Sequence, residues 1–199
     1  FVNALLDVFE IEPDSKYLKL ALKLGHHLID HFWDSQNSSF FMTSDNHEKL
    51  IIRPKSNYDL SLPSGNSVSS FVMLRLYHLS QEQSFLDISI KIMESQAQMA
   101  AENPFGFGYL LNTLSVYLEK PIEITIINSE NSEICNSLFT TYLPSSFMVT
   151  IENSDQLNTL SDYPFFSGKS FEDQTSVFIC KNFSCSLPLH TLDEVNSEL

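Results

Sequence analysis

The feature that most constrains this chain is an apolar rhythm of three to four residues that keeps returning through its first 120 positions. In "EPDSKYLKLALKLGHHLIDHFWD" it begins near Asp14 or Ser15. It sets Tyr17, Ala21, Leu24, Leu28 and Phe32 on one helical face, and Leu18, Leu22, Ile29 and Trp33 fill much of the next. An arc that wide needs contacts on two sides. The rhythm resumes over residues 64–79, 83–100 and 105–118, with links of a few residues that make consecutive αα-hairpins. Because "FVMLRLYHL" and "GFGYLLNTLSVYL" are apolar on more than one side, the pattern favours a layered ring or stack of helix pairs over a simple surface-helix bundle. The opening "FVNALLDVFE", with Val2, Leu5, Leu6 and Phe9 on one face and no initial Met, reads as the middle or end of a helix in the C-terminal piece of something longer.

Two departures from this rhythm set the rest of the organisation. In "SSFFMTSDNHEKLIIRPK", short apolar runs at 39–43 and 49–53 flank the polar stretch Ser44 to Glu48, which predicts a β-hairpin near 39–53. At Pro121 the period changes. "PIEITII", "SSFMVTI" and "QTSVFICKN" are β-branched runs, and "NSEICNSLFTTYL" between the first two has helical spacing, so residues 121–199 predict a small α/β unit. The Ser-, Asp-, Asn- and Pro-rich stretch 153–170 reads as a loop. The expected division is 1–120 helical and 121–199 an α/β appendage packed on the helical part, because three strands and one or two helices are too few for a robust separate core.

Charge and cysteine content narrow the function classes. The net charge is −14, and residues 121–199 hold only 2 Lys/Arg against 11 Asp/Glu. Such a surface repels phosphate backbones and anionic lipid, which argues against nucleic-acid and membrane-surface roles. No run approaches the roughly 18–20 apolar residues needed to span a bilayer, and a cytoplasmic location is the expectation. Cys135, Cys180 and Cys185 are an odd, widely spaced set that fits a reducing compartment, so reduced, inert thiols are expected.

The stretch with most chemical potential is "YDLSLPSGNSV". Ser64 or Asn66 can cap a helix, Gly65 permits unusual backbone angles and Pro63 stiffens the entry. Alternatively Tyr58, Asp59, Ser64, Asn66 and Ser67 gather hydrogen-bonding groups at a helix N-terminus, where free N–H groups and the dipole favour oxygen-rich ligands. On spacing alone the cap is the simpler reading. His27 and His31 lie one turn apart, yet no third ligand is identifiable, and Cys180 and Cys185 lack the C-x-x-C spacing of a redox pair and the further ligands of a zinc site. Asp34, Asp59 and Glu102 could serve in acid-base catalysis, but nothing pairs them in sequence. No phosphate loop, dinucleotide fingerprint or nucleophile elbow is present, and neither metal nor cofactor is expected.

Taken in order, "FWDSQNSSFFMTS", "YDLSLPSGNSV" followed by "LRL", "NPFGFGYLLNTLSVYL", "PIEITII" and "VFICKNFSCSLPLHTLDEV" resemble the thioredoxin-domain-containing family that includes the spermatogenesis-associated thioredoxin-like proteins. Complete members have a thioredoxin-like domain followed by an (α/α)6 barrel of the six-hairpin glycosidase and N-acylglucosamine 2-epimerase type. The resemblance covers nearly all of this chain but only the last part of that architecture. It therefore implies the last hairpins of an (α/α)6 barrel with the α/β appendage. In such barrels the loops before inner helices form the mouth of the central cavity. The resemblance thus implies a sugar or polyol site in which Asp59 is catalytic and Tyr58, Ser64, Asn66, Ser67, Trp33 and Tyr109 bind substrate. The alternative it implies is a non-catalytic scaffold that presents partners to the thioredoxin-like domain. It also pairs Cys180 and Cys185 with a family cysteine pair, without assigning a role. A ring lacking its early hairpins leaves apolar surface uncovered, so the missing N-terminal part of the same protein, or another chain, is expected to complete it.

Overall fold

A computed structural model describes residues 1–48, 51–128, 133–171 and 173–199. In chain order the elements are α1 (Val2–Ile11), α2 (Ser15–Phe32), β1 (Trp33–Asp34), β2 (Ser39–Phe40), α3 (Gly65–Ser80), α4 (Gln83–Glu102), α5 (Gly108–Glu119), β3 (Ile122–Ile127), α6 (Glu133–Thr140), β4 (Ser146–Ile151), α7 (Ser154–Leu160), β5 (Ser176–Lys181), β6 (Ser184–Cys185) and α8 (Leu192–Glu198). The chain is mainly helical with a small sheet. It divides into two compact units, one of residues 1–3 and 20–118, the other of 4–19 and 119–199. Residues 4–19 are thus grouped with residues 119–199 rather than with the rest of the first 118.

The first unit is built around α3. Its buried residues run almost continuously from Asn66 to Leu79, so it is covered on nearly all sides, as the multi-sided apolar pattern requires. Only Gln81 and Glu82 separate it from α4, and Gln81 sits in the left-handed region (φ 56°) while its N–H closes the end of α3 on the Tyr77 carbonyl at 2.6 Å. Such a tight link forces α3 and α4 antiparallel. Their seam is narrow at one point, where the buried Ser89 hydroxyl donates to the Ser70 carbonyl at 2.8 Å and the Ser70 hydroxyl donates to the Ser89 carbonyl at 3.2 Å. Gly25 of α2 is equally close-packed: a methyl there would stand 2.5 Å from Leu76 Cδ1 and 3.1 Å from Phe85 Cε1.

The hairpin differs from its expectation. β2 pairs with β1, in the register Trp33↔Phe40 and Asp34↔Ser39. Lys49 and Leu50 lie outside the described residues, and Ile51, Ile52 and Arg53 carry no strand. The physical reason is Asp34, whose Oδ1 accepts the N–H groups of Gln36 (3.0 Å) and Asn37 (3.4 Å) and so folds the chain back immediately. Residues 53–55 are held by one backbone bond, from the Met42 N–H to the Pro54 carbonyl at 2.9 Å, and by side chains. Arg53 lies over the Phe41 ring at 4.0 Å and donates to the carbonyls of Thr43 (2.6 Å) and His31 (3.1 Å).

In the second unit the sheet order is β4-β3-β5-β6, with β3 and β4 parallel and the other pairs antiparallel. The β3-α6-β4 crossover is the strand-helix-strand unit read from the sequence. Ile124, Ile126, Ile134, Leu138, Val177, Ile179 and Val195 form its core. The stretch 153–170 is not simply a loop, since it holds α7 and a 3-10 turn at Pro164–Phe166. Asn153 caps α7 by accepting the Gln156 N–H at 3.0 Å, Gln156 returns an acceptor to the Glu152 N–H at 2.8 Å, and Leu157, Leu160, Phe165 and Phe166 are buried. The polar composition masks a spaced apolar set. Among the described residues no helix is long and apolar enough to cross a membrane.

Candidate functional site

Asp59 is buried where two helices begin. Its Oδ1 accepts the Ser64 N–H at 2.7 Å, and its Oδ2 accepts the Tyr109 N–H at 2.8 Å and the Leu110 N–H at 3.3 Å. Its own N–H donates to the Gly106 carbonyl at 2.8 Å. One carboxylate thus supplies negative charge to the positive ends of both α3 and α5, whose first N–H groups have no partner within their helices. Both oxygens are used by the backbone.

The other polar residues of the motif are similarly occupied. Ser64 is the N-cap of α3, its Oγ accepting the Ser67 N–H at 3.0 Å and donating to the Ser67 hydroxyl at 2.9 Å. Asn66 is a clamp: Oδ1 accepts the Phe40 N–H at 2.6 Å, and Nδ2 donates to the carbonyls of Phe40 (3.1 Å) and Ser56 (3.0 Å) and to Asn57 Oδ1 (2.9 Å). It pairs with β2 as a further strand residue would. Ser64, Asn66 and Ser67 are all at least 97% buried.

The aromatic candidates face outward more. Tyr58 is 47% exposed, its ring 5.1 Å from that of Phe107 and its hydroxyl 3.7 Å from the Met99 sulfur. Gly106 makes room for it, because a methyl there would come within 3.1 Å of the Tyr58 ring. Tyr109 is half-buried and edge-on to Phe71 at 5.9 Å, while Trp33 is half-buried and edge-on to Phe40 at 5.0 Å. The motif brings Tyr58, Asp59, Ser64 and Tyr109 together at the starts of α3 and α5. Trp33 belongs to the β1–β2 hairpin that Asn66 clamps.

Asp34 and Lys55 form a second polar centre. Lys55 Nζ lies 2.5 Å from Asp34 Oδ2, which also accepts from Asn37 Nδ2 at 2.8 Å, and these bonds, Lys55 foremost, hold the Asp34 carboxyl well below the usual carboxylate range. Nothing in the sequence signalled Lys55, which lies 21 positions away. His27 and His31 do lie side by side, with ring centres 4.5 Å apart and planes tilted by 52°, but His31 Nδ1 engages Asp45 at 2.8 Å.

The cavities beside these groups are largely apolar. One of about 310 Å³ is bordered by Asn66 and Gly65 with Phe32, Phe40, Phe41 and Met42. Another, of about 460 Å³, lies among Val2, Leu24, Leu28, Phe32, Val68 and Val72. A third, of about 500 Å³, runs between α4 and α5 past Ile90, Met93, Ala97, Ala101, Leu110 and Leu114.

The late cysteines overturn their expectation. Cys180 and Cys185 are joined by a disulfide, and Cys135 is a free, buried thiol. The two sit directly opposite each other in the β5–β6 register, with Cα atoms 3.9 Å apart. Their four intervening residues therefore form a hairpin, which brings the sulfurs together without the C-x-x-C spacing.

The chain is similar to Spermatogenesis-associated protein 20. It is 25% identical to the human and rat proteins over 194 residues, which is 94% of this chain and 25% of each relative. An uncharacterised protein of Caenorhabditis elegans is 20% identical over 198 residues, 98% of this chain and 27% of that one. The chain thus spans about a quarter of the length of the curated relatives it matches. No family model matches it.

Proposed function

We propose that this chain is the closing part of a longer (α/α)6-type helical protein and acts there as a non-catalytic scaffold. The observation that carries the reading is that Asp59 and Asn66, the groups best suited to grip a substrate, are taken up by the chain's own backbone. A carboxylate whose two oxygens already accept three backbone N–H bonds at the starts of two helices is committed to holding those helices rather than to meeting a substrate. Asp59 is then a positioning residue that fixes where α3 and α5 start. The apolar cavities, and relatives about four times as long, support completion by further helical hairpins of the same larger protein, and a thioredoxin-like domain there would be what the scaffold serves.

A second reading keeps a sugar or polyol ligand at the mouth. It is favoured by the exposed Tyr58 ring with the half-buried Tyr109, since flat aromatic faces stack against the C–H faces of sugars. A thermal-shift panel of sugars and polyols on the wild type and on Tyr58→Ala separates the two. The scaffold reading expects no shift in either protein. A sugar-dependent rise in the wild type that disappears in a folded Tyr58→Ala would replace it with the binding reading.

A further inference from the structure

The disulfide lies at the outer edge of the sheet of the second unit, beside a lysine that is distant from it along the chain. Cys185 is on the edge strand β6 and exposed, whereas Cys180 on β5 is buried (2% exposed). Lys169, sixteen positions before Cys185, reaches across so that Nζ stands 3.9 Å from Cys185 Sγ. The same ammonium donates to the Phe165 carbonyl at 2.5 Å and lies 5.7 and 5.8 Å from the ring centres of Phe165 and Phe178. Burial pushes Lys169 down to about 8, partly opposed by the buried Glu123 carboxylate, whose residue is the register partner of Cys180. The remaining cation of the hairpin, Lys181, is turned to the Glu198 carbonyl.

From this arrangement we propose that Cys180 and Cys185 form a thiol–disulfide exchange site, with Cys185 the sulfur that reacts with external dithiols and disulfides and Cys180 the resolving one. The asymmetry is geometric: one sulfur is open to an incoming group and has a cation beside it, and the other is enclosed.

The exchange balances as follows. A thiolate of an external dithiol attacks Cys185 Sγ, the Cys180–Cys185 bond breaks, and its electron pair leaves on Cys180, which takes up a proton. The second thiol of the reductant, on losing its proton, then attacks the mixed disulfide at its own sulfur and releases Cys185 as a thiolate next to Lys169. The protein gains two electrons and two protons once Cys185 is protonated, and the reductant becomes a disulfide. The reverse sequence oxidises the pair.

The hairpin is held independently of the bond. Asn182 and Phe183 make its turn in the left-handed region (φ 52° and 61°), and beyond the pair Ser186 N–H donates to the Ile179 carbonyl at 2.9 Å. Reduction therefore leaves the two thiols facing each other, ready to close again.

The test equilibrates the whole chain in buffers of reduced and oxidised dithiothreitol at several ratios and counts thiols by maleimide mass tagging, with circular dichroism on the same samples. The reduced protein is then alkylated with iodoacetamide, and each cysteine is followed by peptide mass over a range of pH. Expected are reversible interconversion without loss of fold, Cys185 labelled ahead of Cys180, and a Cys185 rate profile that turns over below the ordinary thiol value of about 8.5. In Lys169→Met the profile moves up. If it moves by about one pH unit, the gain in thiolate nucleophilicity partly offsets its scarcity, and the rate at pH 7 falls about three-fold. Lys169→Arg restores both. Reduction that occurs only on unfolding, or equal labelling of the two cysteines with no change in Lys169→Met, would overturn the assignment.

Discussion

Replacing Asp59 by Ala removes one acceptor group from three backbone donors at once. The Ser64 and Leu110 residues are buried, so their N–H groups lose a partner with little water to replace it, while Tyr109 is half-buried and its donor is partly rehydrated. A hydrogen bond to a charged group contributes roughly 1.5–3 kcal/mol, and a buried donor left alone costs about 1–3. The Leu110 contact at 3.3 Å is the weakest. Two strong contacts and one weak, partly compensated by solvent, give an expected loss of about 3–4 kcal/mol. Asp59→Asn keeps one acceptor but turns an NH₂ toward N–H donors, which should cost about 2–3 kcal/mol on the same basis. Ser64→Ala removes an ordinary N-cap and should cost only about 1 kcal/mol. Trp33 is the single tryptophan and lies in the same compact unit, so its fluorescence follows that unit through urea unfolding. With a slope of about 2 kcal/mol per molar urea, the Asp59→Ala midpoint should fall by about 1.5–2 M at unchanged slope. A midpoint within about 0.5 M of wild type would refute the capping role and return Asp59 to the acid-base candidates.

Three further outcomes follow from the same geometry. Asn66→Ala should unclamp β2 from the start of α3, lowering stability by about 2–4 kcal/mol and shifting Trp33 emission, because Phe40 is both Asn66's partner and Trp33's neighbour; unchanged emission would disprove the coupling. Asp34 is depressed by Lys55, so its contribution is fully present above the unfolded carboxylate value near 4 and is lost as pH falls below that toward its lower folded value. Wild-type stability should accordingly drop more steeply with acid below about pH 4 than that of Lys55→Met, and parallel curves would exclude the pair as the cause. For Lys169 the slope has the same sign in an alkaline window: between about 8 and its ordinary 10.5 the unfolded chain holds more protons, so stability should rise with pH there. Lys169→Met should flatten that rise in thermal melts, and an unchanged slope would assign it to other groups.

The helices and the first three long strands were legible because each is a local pattern. α3 and α4 fall within two residues of the apolar spacing, α5 starts three residues later than it, and β3, α6, β4 and β5 lie in the runs that follow the change of period at Pro121. What escaped was set by single polar residues acting over a distance or against composition. Asp34 turned the chain back at once, so the hairpin formed one run earlier than the two apolar stretches suggested. Asn153 and Gln156 started α7 inside a segment whose Ser and Asp content reads as loop. The disulfide required a hairpin turn at Asn182 and Phe183, two residues with no Gly between them to announce it.

The motif "YDLSLPSGNSV" shows why sequence alone left cap and site as alternatives. A helix N-terminus attracts the same residue types whether the oxygen that satisfies it comes from a ligand or from the chain, since both answer the same unpaired N–H groups. The deciding atoms here belong to Tyr109 and Leu110, about fifty positions beyond Asp59, and to Phe40, twenty-six before Asn66. No local window contains them. Once those partners are in place, the carboxylate joins two helix starts and the amide joins a helix start to a strand edge. The polarity of Asp59, Ser64, Asn66 and Ser67 is therefore accounted for by the assembly of the helical unit, and the motif's exposed apolar side chains are Tyr58, Leu60 and Leu62.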